Sequence, residues 1–422
     1  MDKLLLLALQ CLWALVMFGA VSALAGLMTW GERKQASLIQ DRIGPNRANI
    51  NLSFIGLGNW KLLGLFHIIA DAVKSLTKED FVPEGAYKIL HMMGPLLSLG
   101  LAFVMFAVVP FAGPLTIHWK DIPAENIPLL GPLFPGDALH LSNFTISFSA
   151  ADLDVGILFV LALGALLTYG VIMAGFASNN KFSFLGAMRA ASQMFSYEIA
   201  LGLSVIGVVM MYGSANLGTI VERQGDLWFG VIPKWGIVTQ PLAFILFFTC
   251  GLMEIKRIPF DVPEGESEIV AGYFLEYSGA KFMMFLFSEY VELIMLAAMS
   301  AMLFFGGWQI PFVNSEGIKV PLLHINFAWA SLAFVKQYGF GMLLVQVILL
   351  LAQAGFFAIK IVVFCWVLVT VRWTWPRFRY DQIMRLGWRR ILPLAMLNIV
   401  ITAVIILAEL RFKDMVQKAL RY

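Results

Sequence analysis

The residues best suited to chemistry are carboxylates in one short loop between two apolar runs. Five acids fall within sixteen residues, interleaved with aromatic and aliphatic side chains: Asp261, Glu264, Glu266, Glu268 and Glu276. A run of charges is usually a solvated surface, but Pro259 and Pro263 indicate an irregular backbone, and the interleaved apolar residues favour a loop packed against protein. Carboxylates crowded into a partly dry site repel one another, which raises pKa values towards neutrality. The loop is therefore a candidate proton store.

Further acids lie in or beside the apolar runs. Glu289 is about seven residues into the run 282–306, roughly 10 Å deep at 1.5 Å per residue, and Glu292 follows one helical turn later. Glu198 begins one apolar run and Glu254 ends another. A carboxylate in mid-membrane costs about 2.5 to 3.5 kcal/mol on insertion scales. Each acid could be a protonated carboxyl bonded to a neighbouring helix, whereas several acids within reach of one another would pass protons as a set.

The composition indicates which elements hold these acids. The 422 residues are 60% hydrophobic and 14% charged, with a mean hydropathy of +0.80, too apolar for a soluble domain. A span needs about 20 apolar residues. We predict an all-α integral membrane protein, one polytopic domain over 1–422, with about eight transmembrane helices near 4–29, 88–111, 154–176, 197–213, 237–254, 282–306, 340–371 and 391–410. The first run exceeds the length of a signal-peptide core, so we expect it to remain.

Basic residues distinguish the two sides of this bundle. In our assignment the odd-numbered loops carry eighteen Lys and Arg residues and the even-numbered loops carry five. The positive-inside rule then predicts cytoplasmic loops at about 30–87, 177–196, 255–281 and 372–390, with both termini outside. The basic tail after residue 410 argues mildly for the reverse. The long loops 112–153 and 307–339 are predicted to be external.

The first cytoplasmic loop contains an amphipathic pattern. From Trp60 to Leu76, apolar residues recur at helical spacing, while Lys61, Asp71 and Lys74 lie elsewhere on the helix. The segment is too charged to span a membrane and predicts an interfacial helix. Its apolar face would meet lipid or cover a cavity; a plain surface-packing helix is an equally good interpretation.

Residue spacing argues against several kinds of site. Cys11, Cys250 and Cys365 are isolated, so no iron–sulfur motif is present. The five histidines show no metal-binding spacing, and GLGNWKLLG at 56–64 lacks the Gly-x-Gly-x-x-Gly pattern of a nucleotide site. We expect no metal and no cofactor bound by this chain alone, and no nucleic-acid partner.

Six segments in a consistent order resemble a known family. They are ERKQASLIQDRIGPNR (32–47), ADAVKSLTKEDFVP (70–83), ASNNKFSFLGAMRAASQMFSYE (177–198), MEIKRIPFDVPEGESEIVAGYFLEYSG (253–279), SEY (288–290) and RFRYDQIMRLGWRRILPL (377–394). They closely resemble the subunit 1 family (also designated H) of respiratory complex I, the proton-translocating NADH-quinone oxidoreductase. Together they cover all four loops that are predicted to be cytoplasmic.

The resemblance implies site residues, position by position. It implies a quinone chamber and entrance that involve Arg33, Arg42, Asp71, Lys74, Arg257 and Phe260. It also implies an acidic relay that couples quinone reduction to proton transport through Glu198, Glu254, Asp261, Glu264, Glu266, Glu268, Glu276 and Glu289.

The resemblance further implies a setting. Quinone is the substrate, FMN and iron–sulfur clusters belong to partner subunits, and the isolated chain has no activity of its own. The hydrophilic arm would dock on the cytoplasmic loops, with antiporter-like and small membrane subunits and lipid alongside, in the bacterial plasma (inner) membrane. Two alternatives are a membrane subunit of an energy-converting hydrogenase or other dehydrogenase, and a stand-alone proton-coupled transporter. The sequence shows no inverted repeat or paired broken helices that would favour the transporter.

The sequence departs from the family pattern at a few positions. The link after RIGPNR is longer than usual, and His67-Ile68 replaces a common Gln-Pro. Lys256 and Ile258 stand where Asn and Thr usually flank the arginine, here Arg257. We expect the chamber entrance to differ accordingly.

Overall fold

Long apolar helices make up most of the structure, because a helix satisfies its backbone hydrogen bonds within itself when no water is available. The computed structural model describes residues 2–51, 59–60, 62–117, 144–228, 232–314, 317–320, 325–328 and 341–419. The middle of the first long external loop, parts of the second, Lys61 of the amphipathic segment and part of the glycine-containing stretch 56–64 lie outside the described residues.

Thirteen α-helices are formed by the described residues. In chain order they are α1 Asp2–Ile39, α2 Phe66–Thr77, α3 Lys88–Val104, α4 Gly156–Ala177, α5 Lys181–Tyr212, α6 Leu217–Gln224, α7 Gly236–Thr239, α8 Pro241–Glu254, α9 Glu266–Ile269, α10 Gly279–Phe304, α11 Gly341–Thr374, α12 Tyr380–Leu386 and α13 Leu392–Ala419. Turns of 3₁₀ helix cover Leu62–Gly64, Met105–Val108 and Gly272–Phe274, and a π-helical turn, Gly387–Ile391, joins α12 to α13.

Short antiparallel strands are confined to loops. They are β1 Ile50–Asn51, β2 Asn59–Trp60, β3 Leu115–Ile117, β4 Phe144–Ile146, β5 Leu227–Trp228, β6 Ile232–Pro233, β7 Val313–Asn314, β8 Gly317–Val320 and β9 Ile325–Ala328. The first six pair as successive hairpins, and the last three form one small sheet in the order β7-β8-β9. In the first hairpin Ile50 lies opposite Trp60.

The predicted fold class is confirmed. Among the described residues, seven helices are long and apolar enough to cross a membrane: Gln10–Ile39, Lys88–Val108, Gly156–Ala177, Lys181–Tyr212, Gly279–Phe304, Val345–Thr374 and Tyr380–Arg411. The remaining predicted span corresponds to α8, which is apolar but has only 14 residues. This is a multi-pass, all-α membrane protein.

Several helix bounds differ from the prediction. The first helix continues to Ile39 rather than ending near 29, so Arg33 lies on a helix and not in a loop. Helix α5 begins at Lys181 instead of 197, where the Asn180 side chain accepts a hydrogen bond from the Phe182 amide at 2.9 Å. Buried polar residues such as Gln193 lower the hydropathy of this half of α5. Hydropathy therefore underestimated the lengths of both helices.

The amphipathic prediction is confirmed as a helix but not over its full length. Helix α2 has 12 residues, and Trp60 belongs to a strand instead. The apolar residues Ile69, Val73 and Leu76 remain exposed, while α2 packs against α1 and α10. Its apolar side is thus left for surroundings outside the chain.

The odd-numbered loops gather at one end of the bundle, called here the acidic end and formed by residues 40–51, 59–60, 62–87, 178–180, 255–278 and 375–379. Backbone hydrogen bonds join them: the amide of Tyr87 donates to Ala177 O, and that of Phe378 to Pro259 O, each at 3.0 Å. The described parts of the even-numbered loops meet at the opposite end, where Gln309 Nε2 donates to Glu222 O at 3.0 Å. This arrangement agrees with a bundle whose helices alternate in direction.

Helix α10 forms the centre of the bundle. Every residue from Val291 to Phe304 is buried, as are Ser288 and Glu289. It packs against α3, α11 and α1. A carboxylate on this helix cannot reach bulk water, so its partners must come from neighbouring elements.

Candidate functional site

Arg257 is the centre of a buried charge cluster at the acidic end. It follows α8, and its Nη1 lies 3.1 Å from Glu32 Oε2 while its Nε lies 3.3 Å from Glu289 Oε2. The guanidinium covers the ring of Tyr290, with Cζ 4.0 Å from the ring centroid. Burial by itself disfavours the charge, but the two carboxylates outweigh burial and raise the pKa of Arg257. The arginine stays charged throughout the physiological range.

Glu32 joins this cluster although the sequence analysis did not select it. Its carboxylate accepts from Arg257, from Arg372 of α11 and, at 2.7 Å, from the Tyr290 hydroxyl. It is 4% exposed. The sequence shows Glu32 as the first residue of the ERK segment, 32–34, and this acid could have been considered. Because the first span was predicted to end near residue 29, Glu32 was assigned to a solvated loop.

The acidic loop contributes Asp261 and Glu264 to the same cluster. The Glu264 carboxyl is hydrogen-bonded to that of Glu289, and burial together with the charge of Glu289 raises the pKa of Glu264 well above its usual range. Burial also raises the pKa of Asp261 to about 7, although Arg377 Nη2 lies 3.5 Å from its Oδ2. The hydroxyl of Tyr273 donates to Glu289 Oε1 at 3.3 Å. Asp261 and Glu264 therefore hold their protons more tightly than exposed carboxyls do.

Two other predicted acids of the loop, Glu268 and Glu276, lie at its periphery. Glu268 is paired with Arg189 at 2.6 Å, and its side chain is about half exposed. Glu276 accepts a hydrogen bond from Asn180 Nδ2 at 2.7 Å. Glu266 begins α9, and its side chain lies outside the described residues. The loop therefore has a buried acidic part and a peripheral one.

A second group of acids lies beyond the cluster. Glu254, the last residue of α8, lines a cavity of about 50 Å³ together with Glu292 of α10. Glu254 also lines a smaller cavity, about 10 Å³, with the half-buried Glu198 of α5. The predicted relay acids thus fall into a cluster around Arg257, a group between α8 and α5, and the peripheral acids.

Three of the predicted chamber residues meet at a larger cavity. It has a volume of about 240 Å³ and lies between α1, α2 and α10. Arg33, Asp71 and Lys74 line it, and Arg33 Nη1 is 2.6 Å from Asp71 Oδ2. The side of α2 that faces the cavity is its polar one. Tyr290 also lines the cavity and joins it to Glu32 through the hydrogen bond given above.

The other predicted chamber residues lie elsewhere. Phe260 is buried and stacks on Phe378, with ring centroids 5.4 Å apart. Arg42 is exposed in the segment after α1. Arg257 contacts the cavity only through Tyr290. Within the described ranges, no group of three or more His, Cys, Asp or Glu residues is arranged to hold a metal ion.

The family model described as NADH dehydrogenase matches residues 12–403. The chain belongs to this NADH dehydrogenase family. Three relatives of the family are each named as the NADH-quinone oxidoreductase subunit designated H. That of Thermomicrobium roseum is 38% identical over 397 residues, 93% of this chain and 95% of the relative.

The other two relatives are similar over a comparable length. The Bdellovibrio bacteriovorus protein is 37% identical over 390 residues, 90% of this chain and 91% of the relative. The Flavobacterium psychrophilum protein is 37% identical over 396 residues, which are 93% of this chain and 96% of the relative. The resemblance inferred from the six sequence segments is confirmed.

Proposed function

We propose that this chain is the membrane subunit of a proton-translocating NADH-quinone oxidoreductase, where it forms much of the quinone chamber and an acidic relay. The names of its relatives support the assignment. The observation that carries the mechanism is Tyr290, which lines the 240 Å³ cavity and also hydrogen-bonds to the buried cluster. Only the side chain of Tyr290 lies between a reaction in the cavity and the buried cluster around Arg257.

The cavity has the chemistry that a quinone needs. One side is apolar, with Phe282, Met283, Leu286 and Phe287, and the other carries Arg33, Asp71, Lys74 and Lys78. An amphipathic molecule with a polar ring and an apolar tail fits such a lining. In this proposal Arg33, Asp71 and Lys74 belong to the entrance, while Arg42 and Phe260 belong to parts that the hydrophilic arm completes.

Coupling is electrostatic in this mechanism. Reduction of a quinone to a quinol takes two electrons and two protons, and negative charge appears before the protons arrive. In a site of low dielectric, that charge acts strongly on Arg257 and on Glu32 across Tyr290. The protons bound to Glu264 and Asp261 then redistribute within the cluster.

The remaining acids extend this path. Glu254 and Glu198 carry protons from the cluster across α8 to α5, towards antiporter-like partner subunits. Glu266, Glu268 and Glu276 lie where the hydrophilic arm docks and respond to its contact. FMN and iron–sulfur clusters are supplied by partner subunits, and this chain contributes no redox group.

The location follows from the same assignment. The chain resides in the bacterial plasma (inner) membrane as a single domain, with its acidic end and odd-numbered loops on the cytoplasmic side and both termini outside. The bias of basic residues supports this orientation. Small membrane subunits and lipid cover the exposed apolar sides of α1, α11 and α13.

Substitution of the loop acids tests the mechanism. In the assembled complex, Glu264→Gln or Glu266→Gln is expected to reduce quinone reduction and proton translocation while electron transfer to an artificial acceptor stays normal. Glu222→Gln, at the opposite end of the bundle, is the matched control and should behave as the parent protein. Unchanged coupled turnover in both loop variants would remove the acidic loop from the mechanism.

Purification of the tagged chain tests the assignment to the complex. After mild detergent extraction, we expect a flavin-containing and iron–sulfur-rich arm and antiporter-like subunits to copurify. A nickel-containing partner set would instead assign the chain to a hydrogenase, and a chain recovered alone would favour a transporter.

A further inference from the structure

A buried lysine–glutamate pair lies between the two groups of acids. Lys256 and Glu292 are 3% and 6% exposed, and Lys256 Nζ is 3.7 Å from Glu292 Oε2. At this distance the ammonium and the carboxylate form an ion pair but not a hydrogen bond. Neither oxygen of Glu292 has a hydrogen-bond partner in the described part of the chain. Glu292 is therefore a charge-compensated carboxylate whose oxygens are still able to accept.

The cavity beside Glu292 can hold the missing partner. Its volume of about 50 Å³ has room for at least one water molecule. Its lining is apolar, with Met105, Leu201 and Met295 among others, apart from the carboxyls of Glu254 and Glu292. A water molecule inside would hydrogen-bond to these two groups. The cavity thus joins the two carboxyls and excludes other ionisable side chains from its lining.

The pair closes the gap between the cluster and the second group. On one side, Glu292 lies one turn after Glu289 on α10, and Lys256 is adjacent in sequence to Arg257. On the other side, Glu254 faces both the cavity with Glu292 and the smaller one with Glu198. The acids are consequently arranged in the order Glu289, Glu292, Glu254 and Glu198, from the acidic loop to α5.

The backbone at Lys256 also singles out this residue. Its φ is +62°, a left-handed conformation just after the end of α8. A left-handed conformation is unfavourable for lysine, whose Cβ crowds the backbone, and costs roughly 1 to 2 kcal/mol. This backbone conformation holds the ammonium group of Lys256 beside Glu292.

We propose that Glu292, paired with Lys256, and a water molecule in the cavity form the proton-transfer step between the Arg257 cluster and Glu254. The inference rests on the proposed function. Protonated Glu292 donates its proton to the water, which at the same time gives a proton to the carboxylate of Glu254. Glu292 is left as a carboxylate compensated by Lys256 and accepts the next proton from the Glu289 side. Lys256 is a positioning residue, since it carries no proton in this step.

The decisive variant is the neutral double substitution Lys256→Met with Glu292→Gln. Single substitutions leave one buried charge unpaired and destabilise the protein for that reason alone, whereas replacement of a whole buried pair by neutral residues is tolerated. In the assembled complex, reconstituted into vesicles, we expect the double variant to translocate protons at about one tenth of the parent rate or less. Rates are normalised to electron transfer to an artificial acceptor, which reports the amount of assembled complex.

A merely structural ion pair predicts a different result. The double variant would then translocate protons at the parent rate, and this outcome overturns the inference. Infrared difference spectroscopy provides an independent readout, since a carboxyl band that responds to quinone reduction should disappear in the double variant. A band that is unchanged would equally contradict a proton-carrying Glu292.

The two proposals fail in distinguishable ways. If Glu264→Gln is impaired while the double variant is normal, the cavity step is wrong and the acidic loop stands. If both are normal, the proposed coupling through this chain is wrong. Glu222→Gln again serves as the control, because it removes an acid that is not part of either group.

Discussion

The protein compensates positive charge differently at its two ends. At the acidic end, Arg257 faces the carboxylates of Glu32 and Glu289. Towards the opposite end, Lys360 of α11 donates to the backbone carbonyls of Phe305 and Gly307 at 2.7 Å each. Its ammonium also lies 4.4 Å from the centroid of the Phe356 ring. One charge is compensated by other charges and one by dipoles and a ring.

The difference lies in what a proton can change. A carboxylate loses its charge when it binds a proton, so the balance around Arg257 shifts with protonation. The carbonyls at the end of α10 keep their dipole at every pH, and the C-terminus of a helix favours a cation. Arg257 therefore belongs to a responsive site, whereas Lys360 fastens α11 to the end of α10.

The largest loss of stability is expected for substitution of Arg257 at the acidic end. Arg257→Met leaves Glu32 and Glu289 buried without their shared partner, and we expect a loss of about 3 to 5 kcal/mol in stability. Thermal denaturation of the detergent-solubilised complex measures it. Arg33→Met is the control, because the Arg33–Asp71 pair is 48% and 31% exposed and such pairs contribute about 0 to 1 kcal/mol. Equal losses in the two variants would contradict the role given to Arg257.

Substitution of the half-buried Lys360 should be milder and should spare activity. Lys360→Met removes the donor to the carbonyls after α10, and we expect a cost of about 1 to 3 kcal/mol. The rate of quinone reduction per assembled complex should be unchanged, because no proton-accepting group is altered. A lower thermal midpoint with normal turnover is the expected result; lost turnover at full assembly would show that Lys360 also takes part in coupling.

The raised pKa of Asp261 should make the stability of the folded protein depend on pH. Its pKa is raised to about 7 in the folded protein, against about 3.9 in an unfolded chain. The folded state binds the extra proton between these values, so its contribution to stability is complete below about pH 4 and is lost as pH rises through 7. The thermal midpoint of Asp261→Asn should therefore fall less than that of the parent protein between pH 5 and pH 8. Parallel curves for the two proteins would exclude this assignment.

The smallest effect is expected at the periphery. Glu268→Gln breaks the pair with Arg189, in which the Glu268 side chain is about half exposed. The change in stability should stay within about 1 kcal/mol and shrink further as salt is added. Thermal midpoints at low and high salt measure both. A loss as large as that of Arg257→Met would place Glu268 in the buried cluster instead.

The buried acids were easier to predict from the sequence than their partners. Glu289 and Glu254 were identifiable because a carboxylate within or beside an apolar run is unusual in itself. Glu32 and Lys360 were missed, the first because hydropathy ended the span too early and the second because a lone lysine has no recognisable motif. Their roles depend on Arg372 and on the end of α10, which are distant in the chain.

The same limit applies to the cavities. The period of the apolar residues was enough to predict α2, but it did not show that Asp71 and Lys74 would line the cavity while Ile69 and Leu76 remained exposed. Nor did it separate the peripheral acid Glu268 from the half-buried Glu264, which have the same chemistry and lie four residues apart. Burial and the sign of the nearest charge decide between them.

The amino-acid sequence by itself determined the membrane class, the approximate number of apolar helices and the family. These properties follow from hydropathy, charge and local motifs, which are summed along the chain. The tertiary structure alone decided that Glu32, Arg257 and Glu289 share one site, that Tyr290 joins it to a cavity, and that Lys256 faces Glu292. Electrostatic interactions act over a few ångströms in space, and only the packing of the helices sets those distances.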